Sequence, residues 1–406
     1  MSKALEHLRV LDMSRVLAGP FLAQNLADFG ADVIKIERPH HGDETRTFPP
    51  YLKRADGTQT EDSAYYMSIN RGKRSVTIDI SKPLGQDLIK QLAAQSDVLI
   101  ENYKVGDLKR YGLDYASIKA VKPDIVYCSI TGFGQTGPYR NRPGYDYIFQ
   151  AMSGLMSITG ERDDLPGGGP AKVGLAICDV ITGIYSSFAV MAALAHRDKS
   201  GEGQHIDMSL LDVAIATISH INMNYLVGGI VPKRMGTAHP SIVPYQVFNA
   251  ADGQMVVAVG NDTQFSKLCQ TLGVAALPAD ERFRTNVSRV KNRDELVPII
   301  QAKFREKPVA HWIDTLTSIG VPCGPINNIK QVFDDPHIKS RGMRVEVDHP
   351  RGGRVSMLAN PARLSVTPPT YERVPPQLGE HTQEVLRNVL NLDDLAIEAL
   401  ANAGVI

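Results

Sequence analysis

Residues 8–37 read LRVLDMSRVLAGPFLAQNLADFGADVIKIE. This stretch predicts a strand over Leu8–Met13, a helix over Phe21–Phe29 and a second strand over Asp32–Ile36. Strand, helix and strand in so short a span make a βαβ unit, which sets its two strands parallel in one sheet. The alternation then continues. Further strands are expected at Ser75–Ile80, Asp97–Glu101 and Asp124–Ile130, and a helix over Pro83–Gln95. Ser81 is expected to cap that helix, with Pro83 in its first turn, where the missing N–H costs nothing. The fold class is α/β, with a Rossmann-like doubly wound layout.

Downstream, Gly160–Gly174 is too rich in Gly and Pro for regular structure and reads as a mobile loop. A long apolar helix follows from about Thr182 to His196, then a turn at Ser200–Gly203, a strand at His205–Met208 and a helix through Tyr225. The run YQVFNAADGQMVVAV, Tyr245–Val259, places Asp-Gly between two apolar strands, a hairpin signal. Helices are expected at Arg293–Phe304 and Val309–Ile319, and a second hairpin at Met343–Met357. The organisation read from these signals is a large domain over 1–199, a linker over 200–225 and a small α+β domain over 226–325. Residues 326–406 form a linker and a C-terminal return to the large domain.

The chain has 406 residues, enough to bury a large core. Its 44 Lys and Arg balance 44 Asp and Glu, so no global positive charge serves a nucleic-acid backbone or an anionic membrane surface. No apolar run is read as a membrane span and no leader pattern is visible at the start, so a cytoplasmic location is expected. Cys128, Cys178, Cys269 and Cys323 are far apart and lie in apolar segments, which reads as reduced thiols. No histidine stands in a metal-ligand spacing, so no metal is expected.

The motif GFGQTG, 132–137, matches G-x-G-x-x-G, but Pro138 follows where a helix should open, and the first βαβ turn carries RVLAGP instead. A dinucleotide site is therefore set aside. Arg15, Arg38, Arg71, Lys73, Arg74, Lys104 and Arg110 are expected at the carboxyl ends of strands, where such sheets bind ligands. They suit a phosphorylated ligand, against the plainer reading of a solvated rim. Asp179 lies in the apolar segment GLAICDVITG just ahead of the long helix. A helix cap, a buried ion pair and a functional group are all open readings for it.

Six ordered blocks carry a resemblance: RVLAGP, ADVIKIERP with GDETR, INRGKRSVTIDI, IENYKVGDLKRYGLDY, SITGFGQTGP, and GLAICDVITG leading to GEGQHIDMSLLD. Together the chain resembles the class III CoA transferases over nearly its whole length. The resemblance implies that Asp179 is the nucleophile and that ring-shaped subunits, each a Rossmann-like large domain and a small domain, thread through each other as an interlocked homodimer. It implies CoA contacts at Leu17, Ala18, Arg38, Ile69, Asn70, Arg71, Gly72, Asn102, Tyr103, Lys104, Arg110, Thr131, Gly132, Phe133 and Gly134. Some members have lysine where this chain has Thr131, so a charged phosphate contact there must come from another group.

The same superfamily holds acyl-CoA racemases, which resemble this chain but use a histidine in a Gly-His-Asp block. Here the block is Gly144, Tyr145, Asp146, and tyrosine, with a usual pKa of about 10, is a poor base at neutral pH. GTAHPSIVPYQVF, VGNDTQF and VPCGPINN are similar to the branch of the family that moves CoA from succinyl-CoA to glutarate. Itaconate, malate, hydroxymethylglutarate, formate and oxalate are the alternative acids, and a CoA-binding regulatory protein is the non-enzymatic alternative. CoA is then a substrate, with no prosthetic group. The resemblance further implies a covering loop near Gly260 and Asn261, with Gly167–Gly169 as a second candidate. Arg46, His239 and Tyr145 are the candidates to hold a second carboxylate.

Overall fold

The structure, a computed structural model, describes residues 2–406. Six strands form one sheet in the order Lys73–Thr77, Asp32–Glu37, Arg9–Asp12, Val98–Glu101, Val126–Thr131, His205–Ser209. Every neighbouring pair is parallel. Counted along the chain this is the order 3-2-1-4-5-6, the doubly wound arrangement. Period-two alternation builds both faces. Val10, Val33, Val98, Ile100, Val126 and Cys128 join the core beneath helices Ala18–Asp28 and Ile177–Ser200, while Leu11, Ile34, Val76, Leu99 and Tyr127 join the opposite core. That second core is closed by Pro83–Ala94, Tyr115–Val121 and the C-terminal helices Thr382–Leu390 and Asp394–Asn402.

The chain divides into two compact units. One holds the sheet and comprises residues up to 155, 173–223 and 339–406. The other comprises 156–172 and 224–338, so the glycine-rich loop clusters with it rather than with 1–199. Its three-stranded antiparallel sheet runs Cys323–Pro325, Gln254–Ala258, Tyr245–Asn249. Phe248, Phe265, Phe283, Phe304 and Trp312 fill its core against the surrounding helices.

A charged network runs through the interior of the first unit. Lys35 and Lys73 have fully buried side chains and pair with Asp43 at 3.0 Å and Asp12 at 2.9 Å. Lys73 Nζ also donates to Pro20 O and Asn70 Oδ1, each at 2.9 Å, and Lys35 Nζ to Ser14 O at 2.9 Å. All three donors of Lys73 are thus met, as a buried ammonium requires. Burial pushes Lys73 down to about 8 even against the pull of Asp12. Burial would raise Asp12, but Lys73 and Lys35 together hold it below the usual carboxylate range.

Several expectations need correction. Arg71, Lys73 and Arg74 stand at the start of strand Lys73–Thr77 or just before it, not at a carboxyl end, and they serve the interior: Arg71 and Arg74 pair with Asp28 and Asp32. Lys82, not Ser81, precedes helix Pro83–Ala94; the Ser81 hydroxyl instead donates to Asp79 at 2.6 Å. The long helix runs Ile177–Ser200, and by length and composition it could cross a membrane, although no such run was read from the sequence. It packs on Ala18–Asp28 and Leu210–Thr217 through buried residues such as Val190 and Leu194. A small hairpin, Tyr51–Lys53 with Gln59–Ser63, lacks the alternating apolar pattern and was missed.

Asp12→Ala leaves the Lys73 ammonium buried without a counterion. The expected loss is about 3 to 5 kcal/mol, read as a lowered urea midpoint at unchanged slope.

Candidate active site

A doubly wound sheet binds its ligands at the carboxyl ends of the strands where the order reverses, here between Arg9–Asp12 and Val98–Glu101. Asn102 bridges that crevice. Its Oδ1 accepts from Arg15 N at 2.9 Å and its Nδ2 donates to Arg15 O at 2.7 Å. The next residue, Val16, has φ 68°, a conformation that a β-branched side chain resists. Both oxygens of Asp43 accept the Val16 N–H, at 3.2 and 3.3 Å, and Asp43 is itself held by Lys35. The buried network therefore fixes the loop Ser14–Ala18 from below.

Two clefts meet at this loop. One of about 440 Å³ is lined by Leu17, Ala18, Asn102, Tyr103, Lys104, Thr131, Gly132, Tyr145 and Asp179. The other, of about 690 Å³, is lined by Arg38, His41, Tyr103 and Arg110. Arg15, Glu44, Tyr103 and Asp107 line both, making one continuous surface. Nine of the expected site residues thus gather around the first cleft, and two more cations lie in the second.

Asp179 is the third residue of its helix and was open to reading as the cap, but another carboxylate does that work. Asp146 Oδ1 accepts from Cys178 N at 2.7 Å and from Asp179 N at 3.3 Å. Gln150 then braces the approach: its Nε2 donates to Asp146 at 2.5 Å and to Leu175 O at 3.1 Å, and its Oε1 accepts from Val173 N at 2.8 Å. Gly183, one turn on from Asp179, permits close packing, since a Cβ there would lie 2.8 Å from Ala18 O. Burial first, and the like charge of Asp146 second, push the Asp179 carboxyl up to about 7, while the Ala18 amide pulls the other way. The result is a carboxylate relieved of structural duty, basic for its type and open to a cleft.

Other expected residues lie elsewhere. Ile69, Asn70 and Arg71 are buried, with Asn70 on Lys73 and Arg71 on Asp28, and none lines either cleft. Gly72 donates its N–H to Arg373 O. Phe133 packs on Phe149, and Gly134 N donates to the Thr131 hydroxyl at 3.1 Å. Arg46, proposed for a second carboxylate, is committed to Glu37 at 2.7 Å and to Tyr66 Oη at 2.6 Å. In the second unit, Gly260 N donates to Gln264 Oε1 at 2.8 Å and Asn261 caps helix Asp262–Thr271, so neither polar group points to a free oxyanion hole. His239 Nδ1 accepts from Ser241 N at 3.0 Å. Gly168 and Gly169 donate their N–H groups to Leu165 O and Glu161 O within their own loop.

The sequence reading overlooked Asp146, Gln150, Arg140 and Arg142. The two arginines line the Asp179 cleft, Arg142 lying 3.7 Å over the Tyr139 ring, and neither is in an ion pair among the described residues. The polar run after GFGQTG was their only signal. Among the described residues no cluster of three or more His, Cys, Asp or Glu is arranged to hold a metal.

The model of CoA-transferase family III matches residues 5–382. A succinate–glutarate CoA-transferase of Agrobacterium fabrum is 48% identical over 393 residues, which cover 97% of this chain and 97% of that protein. A succinyl-CoA:glutarate CoA-transferase of Homo sapiens is 46% identical over 405 residues, covering 100% of this chain and 90% of that protein. Among solved structures, a CAIB/BAIF family protein from Brucella suis is 44% identical and superposes with a TM-score of 0.84, covering 96% of this chain and 100% of that one.

If Asp179 attacks as the anion, activity falls as pH drops through about 7. Asp146→Asn keeps an acceptor for Cys178 N but removes the like charge, so the acid limb of the kcat/KM profile is expected to move to lower pH. An unmoved limb would remove Asp146 from the electrostatics of the site.

Proposed function

We propose that this chain, which belongs to CoA-transferase family III, moves CoA from succinyl-CoA to glutarate or a close dicarboxylate through covalent intermediates on Asp179. The observation that carries the reading is Asp179 itself: a carboxylate at a helix N-terminus, capped by a neighbour and open to a cleft. The substrates are those in the names of the two relatives above.

In the proposed sequence, an Asp179 oxygen attacks the thioester carbonyl and CoA departs as thiolate, leaving a mixed anhydride. The thiolate attacks the aspartyl carbonyl, the donor acid departs, and an aspartyl-CoA thioester remains. The acceptor carboxylate attacks that carbonyl, giving a second anhydride and thiolate, and thiolate attack on the acceptor's acyl carbonyl restores Asp179. No step requires a proton to move. The first turn of helix Ile177–Ser200 favours negative charge on the reacting oxygens. Arg38 and Arg110 suit the phosphates of CoA in the larger cleft. Arg140 and Arg142 share the Asp179 cleft and suit the second carboxylate of a dicarboxylic acid, a role that Arg46, tied to Glu37, fills poorly.

The assembly we infer is the interlocked homodimer expected of the family, supported by apolar surface that a single chain leaves uncovered. On helix Ile177–Ser200 this comprises Ile184, Tyr185, Phe188 and Met191; further along the chain Leu226, Val227, Ile230 and Val231 are exposed too. Sedimentation is expected to show a dimer at micromolar concentration, and a stable monomer would overturn this part.

The central test supplies succinyl-CoA with a panel of free dicarboxylates and follows the acyl-CoA products by mass. Wild type is expected to form glutaryl-CoA, and Asp179→Ala to lose about 10³-fold or more of that rate. Intact mass of wild type held with succinyl-CoA alone is expected to show covalently attached CoA that glutarate discharges. An Ala variant with full activity would end the covalent mechanism.

A further inference from the structure

The segment Asn102–Gly106 has a second side. Lys104 and Val105 line the Asp179 cleft and also a smaller one of about 220 Å³ that holds Glu101, Ser129 and His205. Glu101 is only 6% exposed, and no cation pairs with it among the described residues. A buried acid without a counterion calls for an explanation. Its Oε2 accepts the Tyr103 N–H at 2.8 Å, so it holds the wall of the larger cleft directly. Ser129 is paired directly with Glu101 across the neighbouring parallel strands and lines the same small cleft, and Ser129 Oγ lies 2.9 Å from His205 Nε2. His205 sits on the edge strand, exposed, with its ring stacked on Tyr115 at 4.8 Å and 16°. The three side chains thus line one path from an interior carboxyl group to solvent.

We propose that Glu101, Ser129 and His205 form a proton-carrying chain that positions the Tyr103–Lys104 wall, so that affinity for CoA changes with pH near neutrality. This rests on the assignment of the Asp179 cleft to acyl-CoA. With Glu101 ionised, Ser129 donates to the carboxylate and accepts from His205 Nε2–H. A proton arriving at Nδ1 lets the Nε2 proton pass to Ser129 and the Ser129 proton to Glu101. Glu101 then donates to Ser129 and Ser129 to Nε2, leaving a neutral ring protonated at Nδ1. One proton has been taken up, and none is left over. The anionic carboxylate is the stronger acceptor for Tyr103 N–H, so the wall is held best in the ionised state.

The surroundings fit this cycle. Burial, unopposed by any cation, lifts Glu101 to about 7, and burial lowers His205, so below neutrality the proton rests on Glu101. Tyr103 and Tyr127 also face Glu101, Cys128 lies on the opposite face of the same strand as Tyr127, Asp207 faces His205, and Asp114, Lys104 and Lys109 complete the cleft.

Calorimetric titration of the full chain with free CoA between pH 6 and 8 tests the chain of bonds. Wild-type Kd is expected to fall about 3- to 10-fold more across this range than that of Glu101→Gln, which keeps an acceptor for Tyr103 N–H but cannot ionise. Ser129→Ala is expected to flatten the profile likewise, and Ser129→Thr, which retains the hydroxyl, to restore it. In turnover the change should appear in KM for the acyl-CoA, with kcat within about two-fold. A second reading is stability. A buried Glu whose proton is held more tightly in the folded state loses stability as pH rises from about 4.5 to 7, so Glu101→Gln should gain melting temperature on wild type at pH 8 relative to pH 5. Parallel Kd profiles for wild type and folded Glu101→Gln would overturn the relay while leaving the transferase reading intact. Wild type that binds no CoA at any pH would overturn both.

Discussion

The buried pairs Lys35–Asp43 and Lys73–Asp12 are the constraint on which the cleft depends. Lys35 reaches the loop that follows the first strand through Ser14 O and, by way of Asp43, through Val16 N, and Lys73 reaches the first turn of the next helix through Pro20 O. A hydrophobic pair of the same volume could stabilise the sheet as well or better, because buried charges repay little of their desolvation. What it could not do is accept the Val16 amide and hold a β-branched residue at positive φ, a conformation that costs about 1 to 3 kcal/mol. The network thus exchanges stability for the placement of Leu17 and Ala18, and the amide of Ala18 bears on Asp179.

Much of this was legible in the residues. Strand and helix periods gave the parallel sheet, and Arg293–Phe304 was read to its observed ends. Asp179 stood out because an acid among apolar neighbours needs a reason. The cations were harder. A sequence reveals that Arg46, Arg71 and Lys73 are charged, but not that Glu37, Asp28 and Asp12 neutralise them, since those partners come from other strands and helices. Asp146 was visible only as the last residue of a block read for its missing histidine, and its capping of a helix 31 residues downstream is a tertiary fact. The same separation hid Gln150.

Two acids in this unit are lifted to about 7, for different reasons. Glu101 has no cation and no like charge acting on it, only burial. Asp179 has burial together with Asp146. The first shares a small cleft with an exposed imidazole; the second opens to the main cleft. Burial alone therefore does not separate the carboxylate proposed as nucleophile from the one proposed to position the wall, whereas the cleft each one faces does.

The basicity of Asp179 has a further consequence. In either anhydride of the proposed sequence, two carboxylates compete as leaving groups when thiolate attacks. Free dicarboxylic acids ionise in the ordinary carboxyl range, whereas Asp179 holds its proton to about 7, so the substrate acid is the better leaving group. Both anhydrides then collapse preferentially toward the aspartyl-CoA thioester, one on entry and the other by reversal. In the proposed sequence, burial of Asp179 first and the nearby charge of Asp146 second would set the enzyme to wait between half-reactions loaded with CoA, with the acceptor acid deciding when it discharges.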